Sequence, residues 1–330
     1  MKIRWITPLL CLSINLTMKQ LTMAEPAFAF RDGDRVVFLG DSITQGGQYP
    51  LYLECYLLER FPDWKLTFRN AGWGSDRAWL HQRVQGTDMN GDAMLKLTGE
   101  EQDKLLVRMV RHGLHRDVLP LKPTVVFVMF GANDIRDGDQ ALPLHIRALQ
   151  EMIAVLRQAN CRVVLLSASP EEPGEPGASP WNAKHEKFVV AVRELAEREK
   201  VPFVDQYHPV YQAVIDAKKA NPSFGNFTRD GVHPQPAGHL MMAKAILQGL
   251  GMDASKCSGE ATPLLANVTE KNKAYFHRWR EIQIPAMLAG TLDTTEVRSQ
   301  LADADNHIGK LEVEIDRLRH QSRSDSNPKK

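Results

Sequence analysis

Val36-Val37-Phe38-Leu39-Gly40-Asp41-Ser42-Ile43-Thr44 passes without a break from an apolar run to a glycine, an acid and a hydroxyl. Four consecutive apolar residues, Val36 to Leu39, read as a strand buried on both faces, as in a parallel sheet. Gly40 ends the run, so Asp41 and Ser42 sit where such a strand delivers its C-terminal end, the edge at which open α/β sheets bind ligands. A serine in a strand-to-helix loop is most often an N-cap. Ser42 alone therefore proves little, and the rest of the chain decides its weight.

Working outward, the same alternation recurs. Tyr49 to Phe61 has helical spacing and meets Pro62, and Lys65 to Arg69 alternates as a second strand. Asn70-Ala71-Gly72-Trp73-Gly74-Ser75-Asp76 is a glycine-punctuated loop at that strand's end. Residues 82–100 read as a long polar loop and Glu101 to Val118 as a helix. Val125 to Phe130 is a third strand, stopping at Gly131-Ala132-Asn133-Asp134. Helices over 142–159, 183–199, 210–220 and 237–250 alternate with strands over 162–166 and 202–204. The loop 169–180 is rich in proline. Strands separated by helices predict a parallel sheet covered on both faces. Between the last two helices lies Phe227-Thr228-Arg229-Asp230-Gly231-Val232-His233-Pro234.

Four polar clusters thus fall in loops after strands or before helices: Asp41-Ser42, Gly74-Ser75, Asn133, and Asp230 with His233. A serine hydroxyl needs an adjacent base to act as a nucleophile, and His233 is the candidate. Asp230, three residues back in one turn, can hold the other ring nitrogen. Asn133 offers an amide NH₂ to a developing oxyanion, beside backbone N–H groups of Ser42 and of the Gly74-Ser75 turn. Asp41, Asp134 and His239 read as structural groups. No GxSxG elbow is present, against an ordinary α/β-hydrolase. No HExxH or dense His/Asp cluster points to a metal, and no cofactor is implied.

In order and placement these blocks resemble those of the SGNH (GDSL-type) hydrolase family. The resemblance spans most of residues 36–250. It implies a three-layer α/β/α domain with a flavodoxin-like central sheet and an ester hydrolase with Ser42 as nucleophile, His233 as base and Asp230 as its orienting acid. Asn133 and the glycine of the second block would be oxyanion donors. That block departs from the family pattern: Ser75 stands in the usual glycine slot and Gly74 comes one residue earlier, so Gly74 is assigned the donor role with Ser75 as the alternative. The family covers esterases, lipases, thioesterases and carbohydrate deacetylases. A small acyl group, such as acetyl on a polysaccharide, is expected, with Trp73, Trp79 and Trp181 either stacking on sugar or packing. Readings from other classes are a non-catalytic carbohydrate-binding protein on the same scaffold and an O-acyltransferase.

The composition agrees with a globular protein of 330 residues: 25 % charged, with a net charge of +1 that offers no bulk attraction for nucleic acid or an anionic membrane. Residues 1–29 have the form of an export signal, with Lys2 and Arg4 ahead of the apolar run Trp5–Leu16 and small-residue cleavage patterns ending at Ala24 and Ala29. That predicts a periplasmic or secreted protein with no stable membrane insertion after cleavage. Four cysteines show neither a CxxC pair nor metal spacing. The core domain is set at 30–252 and an extension at 253–330. In the extension, Tyr275 to Arg280 mixes aromatics with arginines, which either grip substrate or pin the tail to the core. Val297, Leu301, Ala304, Ile308, Leu311, Ile315 and Leu318 form a heptad seam, for packing on its own domain or for a homo-oligomer. Asp293 with Glu296 suggests a capping box, and Arg319 to Lys330 is expected to be disordered.

Overall fold

The computed structural model of the protein describes residues 28–174, 179–221 and 223–325. Five strands, β1 (Arg35–Gly40), β2 (Thr67–Asn70), β3 (Val125–Met129), β4 (Arg162–Leu166) and β5 (Phe203–Val204), form one sheet in the order β2-β1-β3-β4-β5. All four pairings are parallel, with Val37 level with Arg69 on one side and Val126 on the other. The chain leaves β1 toward β2 and returns to its opposite side as β3, so the topological switch lies between β1 and β3. That is where a ligand crevice opens in such sheets.

The intervening helices are α1 (Ser42–Gln45), α2 (Gln48–Arg60), α3 (Gly99–Asp117), α4 (Ala141–Gln158), α5 (Asn182–Glu199), α6 (Tyr207–Ala220) and α7 (Pro236–Gly249). Strand residues alternate between two cores. Val37, Leu39, Val126, Val128 and Leu165 pack under α3, α4 and α5. Val36, Phe38, Phe127 and Val164 pack under α2 and α7. Both faces are apolar, which is why the strands read as unbroken hydrophobic runs rather than alternating ones. The expected three-layer α/β/α sandwich is thus observed. The loop predicted over 82–100 holds two short 3₁₀ turns, His81–Arg83 and Gly91–Lys96.

The extension does not stand apart. It comprises α8 (Pro263–Phe276), a π-helical segment over His277–Gln283, α9 (Ile284–Leu288) and α10 (Thr295–Asp325). Leu264, Val268 and Ile315 join the core beneath α2 and α7. Tyr275, Trp279, Ile284 and Ile308 join the core on the other face. The tail therefore wraps the β2 edge, which would otherwise present unpaired backbone groups. The buried Lys271 ammonium crosses to Glu54 on α2 at 2.5 Å, and Asn272 donates to the second oxygen of the same carboxylate at 3.1 Å.

Ile308 and Ile315 of the heptad seam are buried against their own chain, one of the two packings the seam allowed, and its other members are partly exposed. Two expectations change here. Thr294, not Asp293, caps α10, its hydroxyl accepting from the Val297 amide. The helix also runs through Asp325 rather than ending before Arg319: Arg319 is buried and donates to the Trp64 carbonyl at 2.6 Å, an anchor that composition does not reveal. Residues 1–27 of the predicted export signal lie outside the described residues. Phe28 packs edge-on to Phe30, and the Ala29 carbonyl accepts from Arg162, so cleavage after Ala24 would keep these contacts and cleavage after Ala29 would remove them. Cys55, Cys161 and Cys257 are free and buried.

Candidate active site

Ser42 opens α1 directly after β1. The cap of that helix is Asp41, whose Oδ1 accepts from the Ile43 amide at 3.0 Å. Because Asp41 takes the capping role, the Ser42 hydroxyl is left for a partner across the crevice. That partner is His233, whose Nε2 lies 2.8 Å from Ser42 Oγ. On its other side His233 Nδ1 is 2.8 Å from Asp230 Oδ2. Residues 191 positions apart are thus joined in one hydrogen-bond chain with Asp230 at its end.

The loop carrying Asp230 and His233 is built to hold that geometry. Thr228 pairs with Pro234 in an isolated antiparallel bridge, and the Arg229 amide donates to the His233 carbonyl at 3.0 Å. Gly231 takes φ +91°, a conformation closed to most side chains, at the tip. Asp230 Oδ1 accepts from the amides of both Val232 and His233. Glu172, after β4, receives the Phe227 and Thr228 amides and anchors the loop's base. Burial would raise the Asp230 pKa. The hydrogen bonds from the His233 amide and ring and the Val232 amide outweigh it and hold the carboxyl well below the usual carboxylate range. Asp230 is therefore ionised at any pH at which His233 acts as a base.

On the opposite wall, the 70–76 loop is fastened to the nucleophile's turn. Asn70 donates to the Thr44 carbonyl at 2.6 Å and accepts from the Gly72 amide at 2.8 Å. A Cβ at Gly72 would stand 2.3 Å from the Gln45 amide nitrogen, so the two segments approach as closely as backbones can. The Gly74 N–H, expected from sequence to face the oxyanion, instead donates to Gln45 Oε1 at 2.5 Å. Ser75 follows with φ +59°, adopting the backbone of the glycine whose slot it fills, and its amide makes no hydrogen bond among the described residues. Of the two amides the sequence left open, Gly74 is thus committed to Gln45, while the Ser75 N–H is without a hydrogen-bond partner among the described residues. Asn133 follows β3 with its Nδ2 2.9 Å from the Asp76 carbonyl, leaving its second N–H uncommitted. Ser42, Ser75 and Asn133 stand at the ends of β1, β2 and β3, across the switch point.

A buried charge network stiffens this wall. Asp76 receives Arg83 Nε at 2.8 Å, and the same guanidinium reaches Asp117 at 3.1 Å and the Ala71 carbonyl at 2.8 Å. Asp134 accepts from the Ala78 amide and from His145. Burial, together with the charges of Asp134 and Asp76 and against the Ile43 amide bond, raises the Asp41 carboxyl to about 7. His239 is buried and stacked on Tyr49. Desolvation, then the nearby His233 and Arg229 charges, lower it to about 4, so it stays neutral. Trp73 and Trp79 are packing residues. Trp73 is enclosed by Trp279 and by the guanidiniums of Arg83, Arg116 and Arg280, and Trp79 is 1 % exposed. Trp181 is half-buried beside Arg136 and Lys184.

Gln45, Asn70 and the Trp73 enclosure were not visible as site-supporting features in the sequence. Their partners lie 26 to 29 residues away for the two amides. The positive φ of Ser75 was foreshadowed only by its place in a glycine slot. Among the described residues no three His, Cys, Asp or Glu side chains converge as a metal-ligand set.

Ser42, His233 and Asp230 thus form one hydrogen-bond chain at the mouth of a parallel sheet. The model of the GDSL-like lipase/acylhydrolase family matches residues 38–241, and the chain belongs to that family of ester hydrolases. Among its relatives, the acetylxylan esterase of Geobacillus stearothermophilus is 22 % identical over 233 residues, covering 67 % of this chain and 95 % of that one. Of the solved structures, a gut microbial diltiazem-metabolizing enzyme is 27 % identical with a TM-score of 0.53, over 68 % of this chain and 48 % of the other, so the match spans about half of that relative. An alpha/beta hydrolase enzyme from the metagenome of Lake Arreo, Spain, shares the fold at 22 % identity and a TM-score of 0.50, covering 67 % of this chain and 97 % of that one.

Proposed function

We propose that this protein is an exported serine esterase that removes small acyl groups, acetyl foremost, from a carbohydrate. The observation that carries the reading is the continuous relay from Ser42 Oγ through His233 to Asp230, at 2.8 Å for each link. His233 Nε2 takes the Ser42 proton as Oγ attacks the ester carbonyl. The tetrahedral oxyanion is met by the N–H groups of Ser42 and Ser75 and the Asn133 amide. His233, now protonated and held by the Asp230 carboxylate, gives its proton to the departing sugar oxygen. The acyl-enzyme on Ser42 is then hydrolysed by water activated through the same imidazole. Among the described residues no helix is long and apolar enough to cross a membrane. The charged start and apolar run of residues 1–29 support export, and the acetylxylan esterase relative supports an acetylated polysaccharide.

The test is nitrophenol release from acetyl, butyryl and octanoyl esters by wild type and Ser42→Ala. The expected result is acetyl preference in the wild type and a loss on the order of 10⁴-fold or more in the variant. Equal rates in the two proteins would remove Ser42 as nucleophile.

A further inference from the structure

A cleft of about 720 Å³ opens between the α1–α2 turn and the C-terminal extension, within the size of ordinary small-molecule sites. Gln45 and Asn70 lie on its core side, with Gln48 and Tyr52 of α2, and Thr269 and Phe276 of α8 line the facing wall. Gln45 and Asn70 are the two side chains that tie the nucleophile's turn to the 70–76 loop, through the Gly74 amide, the Thr44 carbonyl and the Gly72 amide. The cleft therefore begins one helical turn from Ser42 and runs away from the triad toward the tail.

Its chemistry is specific in kind. Four carboxamides (Gln45, Gln48, Asn70 and Asn272) and a threonine hydroxyl line it, three aromatic rings (Tyr52, Tyr275 and Phe276) supply flat apolar faces, and Lys273 and the paired His277 and Glu281 add charge of both signs. That combination suits a molecule with many hydroxyls around C–H faces. A fatty acyl chain would instead call for a predominantly aliphatic lining. The outer wall comes from residues beyond 241, outside the segment matched by the family. The α8 helix is also held firmly enough to serve as a wall, through the buried Lys271–Glu54 pair. Directly after Phe276 the backbone widens into the π-helix of His277–Gln283, a local irregularity often found at functional sites.

We propose that this cleft is a subsite for neutral sugar units flanking the one that bears the ester. The inference rests on the carbohydrate esterase reading and deepens it: the C-terminal extension selects oligomeric over monomeric substrate.

The experiment titrates the full-length Ser42→Ala protein with xylotriose, cellotriose and mannotriose by NMR or calorimetry. It is repeated with Phe276→Ala and with Gln48→Leu on the same background, each checked for a native circular dichroism spectrum and melting transition. In parallel, kcat/KM for acetylated xylotriose relative to nitrophenyl acetate is measured in proteins that keep Ser42. At least one trisaccharide is expected to bind, and each substitution is expected to weaken binding about tenfold and to lower the substrate ratio by a similar factor, as loss of one stacking or hydrogen-bonding partner implies. Two substitutions guard against one that merely loosens α8. If none of the three sugars binds, or if both variants bind as the parent does, the subsite is refuted while Ser42-dependent ester cleavage stands. If Ser42→Ala itself keeps full esterase activity, the underlying function fails, and the inference falls with it.

Discussion

Replacing Asp230 with asparagine changes one oxygen to NH₂, and the surrounding geometry dictates which one. Oδ1 accepts from two backbone amides, Val232 at 3.1 Å and His233 at 2.8 Å. An NH₂ there would face two donors, so the asparagine oxygen must take that place and its NH₂ must face His233 Nδ1. The ring is then forced to accept at Nδ1 and to carry its proton on Nε2, against Ser42 Oγ, where it cannot receive the serine proton. The expected loss in kcat is about 10⁴-fold, or roughly 5 kcal/mol of transition-state stabilisation. Asp230→Ala behaves differently. The Asp230 side chain is 46 % exposed, so water reaches the vacated position and accepts from Nδ1–H. What is lost is one charge-assisted bond, about 1.5–3 kcal/mol, or roughly 10- to 150-fold. Asparagine, the closer mimic, should therefore be the worse catalyst by tenfold or more. Saturation kinetics with nitrophenyl acetate, with circular dichroism to confirm the fold, provide the comparison. An asparagine variant as active as the alanine variant would refute the relay as drawn.

Other outcomes follow from the same structure. Lys271→Met strands Glu54 in the interior and should cost about 3–5 kcal/mol in urea unfolding, whereas Lys271→Met with Glu54→Leu should recover most of it; a double variant as unstable as the single would contradict the pairing. Asp41 is raised to about 7 in the folded protein, so between about pH 4 and 7 the unfolded chain has released a proton that the folded chain retains, and stability falls as pH rises through this window. Asp41→Asn keeps an acceptor for the Ile43 amide but cannot ionise, so its stability relative to wild type should grow by up to about 4 kcal/mol from pH 4 to pH 8; a difference independent of pH would show that Asp41 does not titrate this way. Gly72→Ala would push a methyl to 2.3 Å from the Gln45 backbone nitrogen and part the nucleophile's turn from the 70–76 loop, so turnover should fall at least 100-fold; a kcat within twofold of wild type would show that this approach is not needed.

Much of the molecule was legible from local patterns. Val36–Leu39 and Val125–Met129 are apolar without alternation because both faces of a parallel sheet are covered, so the strands announced both themselves and the layered fold. Asp230 and His233 share one turn, and the sequence alone allowed their pairing. The reading failed where a residue's role depends on a distant partner. Gly74 carries an available N–H in any sequence-based view, and only the fold turns it onto Gln45. Arg319 lies in a polar segment that looks unstructured until Trp64 offers it a carbonyl. The sequence favoured packing for at least two of Trp73, Trp79 and Trp181 without saying which, and only the fold, closing Arg280 and Trp279 over Trp73, settles that it is one of them.

What the sequence by itself determined is the kind of protein: strand and helix periods are local properties of the chain, and the serine and asparagine fall just after strands, and the aspartate and histidine just before a helix, because those periods stop or start there. Tertiary structure decided which amide of the 70–76 loop is taken by Gln45, which tryptophans are buried, and that residues 263–325 wrap the sheet edge and wall a cleft. Those outcomes depend on contacts between segments up to 255 residues apart, and no short-range pattern encodes which distant group a freed N–H, a guanidinium or an aromatic ring will meet.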